Sequence, residues 1–183
     1  MNRFQKTQNL VLCALFAALT AVLSQIAIPI QPVPINLATF SVFLAGGVLG
    51  ARRGTVSQVV YVLLGAVGLP VFASFTGGLG ILFGPTGGYI FGYIAAAWLV
   101  GMLAVRCHGK VYWFALTMAG GLVLCYLLGT AWFMIVTRTG LVESLLLCVV
   151  PFLLGDAAKI VVAALLVPVL RKALSRAGAA VAA

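Results

Sequence analysis

The stretch Ser144–Leu170, SLLLCVVPFLLGDAAKIVVAALLVPVL, decides how this chain is read. Apart from Asp156 and Lys159 it contains no charged residue. It is long enough to cross a bilayer, whose hydrocarbon layer needs about 20 apolar residues in a helix. The chain has only two acidic residues, Asp156 and Glu143, and the second stands at the edge of the same run. A carboxylate or ammonium at mid-bilayer depth costs roughly 2.5–3.5 kcal/mol even on mild insertion scales, so such groups face a bundle interior or a cavity. There they pair with one another or with a ligand. Asp156 and Lys159 stand at i and i+3 and share a helix face. They form either a clamp between helices or an anchor for a ligand. A buried pair is a poor source of stability compared with an apolar replacement, which favours the anchor.

The rest of the composition agrees with a membrane chain. Of 183 residues, 64% are hydrophobic and 7% charged, with a mean hydropathy of +1.24. A soluble domain of this length would have too little polar surface to face water. The net charge of +9 does not indicate a nucleic-acid partner, because the basic residues lie between apolar runs without a basic stripe or a stacking motif. Cys13, Cys107, Cys125 and Cys148 are scattered without metal-ligand spacing, and three of them lie in apolar segments as small hydrophobes. His108 sits in a basic loop without ligand partners, so neither a disulfide nor a metal is expected. The start of the chain, Arg3, Lys6 and an apolar run, resembles a signal peptide. The run continues to Ile28, so it is read as an uncleaved first span.

Turn punctuation divides the chain, read as a single domain over residues 1–183, into six apolar segments. These are Asn9–Ile28, Ile35–Gly50, Thr55–Val71, Gly88–Val105, Val111–Thr137 and Ser144–Leu170. Arg3, Lys6, Arg52, Arg53, Arg106, Lys110, Arg171, Lys172 and Arg176 all fall on one side, against Arg138 on the other. The positive-inside rule then makes both termini cytoplasmic. The expected fold is an all-α bundle of six transmembrane helices, with loops Pro29–Asn36, Phe72–Gly87 and Arg138–Glu143 outside.

Those outer loops have unusual chemistry. Residues 28–36, IPIQPVPIN, are proline-rich, and 71–89, VFASFTGGLGILFGPTGGY, combine six glycines with Phe72, Phe75, Leu79, Ile81, Leu82 and Phe83 before the closing Gly-Gly-Tyr. Permissive backbone with apolar side chains reads as a lid or pocket wall, or else as a loop packed on lipid headgroups. Gly84-Pro-Thr-Gly-Gly88 lacks the lysine of a phosphate-binding loop, so ATP hydrolysis by that route is excluded. Gly46-x-x-x-Gly50 and Gly88-x-x-x-Gly92 allow close helix approach, as does the ridge Ala14, Ala17, Ala18 and Ala21, which can be internal or external.

A mostly apolar pocket with few polar groups suits a compact amphiphilic molecule. The anchors are Asp156 and Lys159, with Asn36, Thr39, Thr76, Thr86, Tyr89 and Tyr93 as neutral candidates. No Cys/His or Ser/His set, pair of membrane carboxylates or H-E-x-x-H is present, so the chain is not read as an enzyme and no cofactor is expected. Internal repeats or several intramembrane acids, which mark many proton-coupled carriers, are missing too. A stand-alone secondary carrier for a small vitamin-like anion and a non-transporting structural subunit remain alternatives.

From about residue 7 to 172 the sequence resembles the BioY family, the biotin-specific substrate-binding (S) components of energy-coupling factor transporters. The resemblance rests on Ala14-Leu-Phe-Ala-Ala-Leu-Thr-Ala21, Pro32-Val-Pro-Ile35, Ser57-Gln58 and Leu63-Leu-Gly-Ala-Val-Gly-Leu-Pro-Val-Phe-Ala73. It is carried further by Gly77-Gly-Leu-Gly80, Phe83-Gly-Pro-Thr-Gly-Gly-Tyr89 and Gly155-Asp-Ala-Ala-Lys159. Asn36-Leu-Ala-Thr39 departs from relatives, which commonly carry Thr or Ser and then Gln there. The resemblance implies biotin as ligand, held by Asp156, Lys159, Tyr89, Phe83, Gly84, Thr86, Asn36, Thr39, Thr76 and Tyr93. An ionised Asp156 accepts ureido N–H bonds, while Lys159 suits either the ureido oxygen or the valerate carboxylate. It also implies a transmembrane T component that meets Ala14 and Ala18, two ATPase subunits, and a location in the bacterial cytoplasmic membrane.

Overall fold

Long runs of Leu, Val, Ala and Ile cannot leave backbone N–H and C=O groups unpaired in lipid, and the helix is the local solution. The computed structural model describes residues 3–28, 30, 32–107 and 110–177, with side chains of Arg3, Phe4 and Cys107 outside that description. Pro29, Gln31 and His108 of the sequence reading fall outside it as well. In chain order the elements are α1 (Arg3–Gln25), β1 (Ala27–Ile28), β2 (Ile35–Asn36), α2 (Ala38–Ala66), α3 (Leu79–Leu82) and α4 (Gly87–Ala104). They continue with α5 (Val111–Thr137), α6 (Leu141–Cys148) and α7 (Leu153–Arg176). Among the described residues four helical stretches are long and apolar enough to cross a membrane: Gln5–Gln25, Gly87–Ala104, Val111–Thr137 and Leu141–Arg176.

Two of the expected spans take a different form. Segments 35–50 and 55–71 are joined without a loop as α2, which breaks at Gly50 (φ 79°, ψ 177°). The chain reverses there, a conformation that side chains oppose and glycine accepts. A Cβ on Gly54 would lie 2.9 Å from the carbonyl oxygen of Ala45, and one on Gly101 would lie 2.3 Å from the Ala51 nitrogen. The two limbs of α2 and the end of α4 therefore pack backbone to backbone. Limb 38–49 is about 18 Å long and limb 51–66 about 24 Å, short of a roughly 30 Å hydrocarbon layer. The break frees helix carbonyls, and arginines cap them: Arg53 Nε donates to Leu49 O (3.1 Å) and Arg171 Nε to Gly47 O (2.7 Å).

The expected span 144–170 is interrupted as well. A 3-10 turn at Val150–Phe152, with Pro151 at its start, separates α6 from α7. Proline lacks the N–H that would continue the helix. Glu143 therefore belongs to the first turn of α6 and not to a loop.

One end of the bundle is basic. Arg53 also donates to Asn9 Oδ1 of α1 (2.8 Å), and the Arg171 guanidinium lies 5.1 Å from the ring centre of Phe114 at the start of α5. The core here is closed, built from Leu49, Val48, Val100, Phe114, Met118 and Val167 among others. At the opposite end the core is richer in aromatic side chains, with Tyr61, Phe72, Tyr89, Tyr93 and Phe133. Gly88 and Gly92 bring α4 against Trp132 and Cys125 of α5, so that small-residue pair serves internal packing. The alanine ridge divides: Ala17 is 1% exposed and internal, whereas Ala14 and Ala18 are exposed beside Leu10, Val11, Leu15 and Val22.

Candidate functional site

Asp156 and Lys159 lie in the first two turns of α7, directly after the Pro151 turn. An acid in a first helical turn is favoured by the helix dipole. Both are buried, 1% and 8% exposed, and Lys159 Nζ stands 2.7 Å from Asp156 Oδ1. Two hydroxyls complete the carboxylate's shell. Thr39, from the first turn of α2, donates to Oδ1 (3.1 Å), and Tyr126, from mid-α5, donates to Oδ2. Lys159 donates further to the Asn36 carbonyl (2.6 Å) and to Thr39 Oγ1 (3.2 Å). The Asn36 side chain accepts the Ala38 N–H at 3.0 Å, a local turn that leads the chain into α2 just before Thr39. One ion pair thus ties together α2, α5, α7 and the strand before α2.

A cavity of about 550 Å³ opens beside this cluster. Its walls are Tyr61, Tyr89, Ile90 and Tyr93, and its rim is formed by Pro32–Pro34, Asn36 and residues of the 72–86 loop. A smaller recess of about 30 Å³ contains Thr39, Cys125, Tyr126, Asp156 and Lys159. Val33, Pro34, Asn36, Tyr89 and Tyr93 line both spaces, so they separate the apolar chamber from the charged recess. Such a site offers a large non-polar volume with a polar end where hydrogen bonds can be exchanged.

The structure brings eight of the ten expected ligand residues to these two spaces. Asp156, Lys159, Thr39, Asn36, Tyr89 and Tyr93 meet at the recess, and Thr76 and Thr86 line the larger chamber. Phe83 and Gly84 are not brought there. Phe83 is 65% exposed, turned outward by the short helix α3, while the Gly84 carbonyl accepts the Trp132 indole N–H at 3.0 Å. Within the apolar loop, Phe72 and Ile81 line the cavity, as a pocket wall requires, whereas Phe75, Leu79 and Phe83 are exposed.

Two features have no counterpart in the sequence reading. Tyr126 is one; a lone tyrosine in an apolar run gives no signal until the carboxylate opposite it is known. The other is a clasp made by Gln25 at the end of α1. Its amide donates to the carbonyls of Ala21 and Phe72 (both 3.1 Å), and its oxygen accepts the Phe75 N–H (2.8 Å). Ser24 adds a bond to the Val71 carbonyl at 2.6 Å. The clasped segment holds Ser74 and Phe75 in left-handed backbone, at φ 59° and 56°. Such non-glycine residues cost on the order of 1–3 kcal/mol each and persist where their surroundings hold them.

Comparison with known proteins gives a consistent result. A family model described as the BioY family matches residues 1–176. The chain is 41% identical over 165 residues to a protein of Thermotoga maritima named biotin transporter BioY, covering 90% of this chain and 96% of that one. It is 42% identical over 154 residues to a probable biotin transporter BioY of Pyrococcus horikoshii, covering 84% and 90%. The crystal structure of the S-component for biotin from an ECF-type ABC transporter superposes with a TM-score of 0.88 at 28% identity, covering 94% of this chain and 95% of that chain.

Proposed function

The chain belongs to the BioY family, and from that membership we propose that it binds biotin and takes it up across a membrane as the S component of an energy-coupling factor transporter. The observation that carries the reading is the buried Asp156–Lys159 pair at the polar end of an apolar cavity of about 550 Å³. The bicycle and valerate chain of biotin suit the aromatic chamber of Tyr61, Tyr89 and Tyr93. The ureido group suits the recess: its N–H groups donate to Asp156, and its oxygen accepts from Lys159 or from the Tyr126 hydroxyl. At the rim Thr86 supplies a neutral donor for the carboxylate end, while the Thr76 hydroxyl donates to the Ala73 carbonyl at 2.9 Å.

The reading extends to topology and assembly. The Gly50 reversal supplies six helical limbs, the two of α2 shorter than the hydrocarbon layer and completed at their outer ends by the loops that precede and follow them. A cytoplasmic place for both termini fits the charge distribution. That orientation puts the basic end inside and the cavity outside. Exposed Ala14 and Ala18 form a shallow, smooth strip on α1 that suits close approach by a helix of the T component, with two ATPase subunits supplying the energy. A structural subunit does not account for a cavity built beside the ion pair, and uptake in vesicles with and without the energising subunits separates the S-component reading from a stand-alone carrier. Binding of radiolabelled biotin to the purified chain, with desthiobiotin and lipoate as competitors, tests the reading. Saturable binding displaced by desthiobiotin and not by lipoate is expected, and no saturable binding by folded protein overturns it.

A further inference from the structure

Helices α5 and α6 leave between them a second concave space, a groove of about 260 Å³. Val123, Leu127 and Met134 line it from α5, at helical spacing over three turns, and Leu141, Leu145 and Val149 line it from α6 and its end. Where α5 passes into α6 the hydroxyls of Thr137 and Thr139, and of Thr139 and Ser144, meet at 2.8 Å, which fastens the two walls together. Leu127 is 64% and Leu141 57% exposed, so the groove faces outward. Both walls belong to stretches apolar enough to cross a membrane, which sets the groove at hydrocarbon depth. Between Val123 and Met134 α5 rises about 17 Å, roughly half of a 30 Å hydrocarbon layer and so the reach of one leaflet.

The polar side chains of the groove are committed elsewhere. Tyr126 donates its hydroxyl to Asp156 Oδ2, and the Thr130 hydroxyl is bonded to that of Tyr89 at 3.1 Å. None of the described residues lining the groove is charged. An occupant at this depth is therefore offered apolar contact on two sides and no polar partner, which suits a hydrocarbon chain. Tyr126 lines both this groove and the charged recess, so what packs in the groove bears on the side chain that holds Asp156.

We propose that the groove holds one acyl chain of a membrane phospholipid, and that this chain keeps Tyr126 and Thr130 seated against the ligand site. The acyl-chain site rests on the membrane reading alone; its effect on biotin rests on the function proposed above.

Native mass spectrometry of the full chain, released from detergent with added dioleoylphosphatidylcholine, reads the site directly. The parent protein should retain one lipid. Ala131→Trp, which fills the groove from α5, and Leu145→Trp, which fills it from α6, should both lose it. Leu165→Trp, on exposed α7 outside the groove, should keep it. Helical content and elution volume check that each variant is folded. Undiminished lipid in both folded groove variants overturns the site, and equal loss in Leu165→Trp shows general lipid coating and overturns it too. A dimer of the parent chain that Ala131→Trp dissolves would put a second copy in the groove and overturn the lipid. Parent protein stripped of lipid should bind labelled biotin more weakly and regain affinity when the phosphatidylcholine is returned. Regained lipid with unaltered biotin affinity overturns the link to Tyr126. A lipid adduct in protein that binds no biotin in either state counts against the biotin reading and leaves the acyl-chain site standing.

Discussion

Replacing Asp156 by asparagine keeps the side chain's shape while removing the charge that Lys159, Thr39 and Tyr126 all address. Two measurable quantities should change, and they separate the two roles open to the pair. Leaving a buried ammonium without its carboxylate costs about 3–5 kcal/mol of stability. Losing one charge-assisted bond to a ureido N–H costs roughly 1.5–3 kcal/mol, so biotin affinity should fall by about 10- to 150-fold. The double variant Asp156→Leu/Lys159→Met distinguishes the cases. Swapping a buried pair for apolar residues of similar volume is neutral or stabilising, so thermal stability should recover. Biotin affinity should not. The assay is equilibrium binding of labelled biotin in nanodiscs, run beside a thermal unfolding curve of the same preparation. Wild-type affinity in the folded single variant refutes the assignment of the site. Recovery of both stability and binding in the double variant would reduce the pair to a helix clamp.

Three further outcomes follow from the geometry. Tyr126→Phe removes one donor from a buried carboxylate oxygen, worth about 1–3 kcal/mol, and should weaken biotin binding by about 5- to 150-fold in equilibrium binding; unchanged affinity would make the tyrosine a bystander. Gln25→Leu breaks the clasp on the loop carrying Ser74 and Phe75, so amide exchange over 71–76 should accelerate and labelled biotin should dissociate faster. Exchange as slow as in the parent protein would show that the loop holds itself. Ala14→Trp or Ala18→Trp should leave biotin binding intact, because both point away from the cavity, and should abolish co-purification with the T component and ATP-dependent uptake. Joint loss of binding and assembly would place the alanines in internal packing.

Much of the site was legible because the chain has so few charges. With two acids in 183 residues, an aspartate and a lysine on one face of an apolar helix identify themselves. The partition of arginines and lysines foretold a basic end, and the structure gathers Arg53 and Arg171 there around freed helix carbonyls. The reversal at Gly50 was only partly legible. Glycines and Arg52-Arg53 marked a division, but a turn this tight depends on the backbone contacts of Gly54 and Gly101, which are tertiary. Pro151 was hidden by the apolar residues on either side, since hydropathy is blind to a missing N–H. Phe83 shows the opposite limit. Its loop composition predicts a wall, but the four-residue helix α3 decides which aromatic faces in, and that choice is set by packing.

The recess has a consequence for how a ligand is chosen. Lys159 has three donors and three protein acceptors, and both carboxylate oxygens of Asp156 have protein donors. A ligand group that reaches them takes over bonds that already exist, so the polar contribution to affinity is a small difference between bonds surrendered and bonds formed. On the proposed reading, burial in the apolar chamber then supplies a large share of the affinity. Discrimination has another origin, because a ligand of the right shape that lacks one N–H displaces a protein bond and returns nothing. Each such deficit leaves a buried group unsatisfied at about 1–3 kcal/mol. On the proposed reading, the chamber bears on tightness alone, whereas the recess sets selectivity and, when one of its bonds is cut, lowers tightness as well.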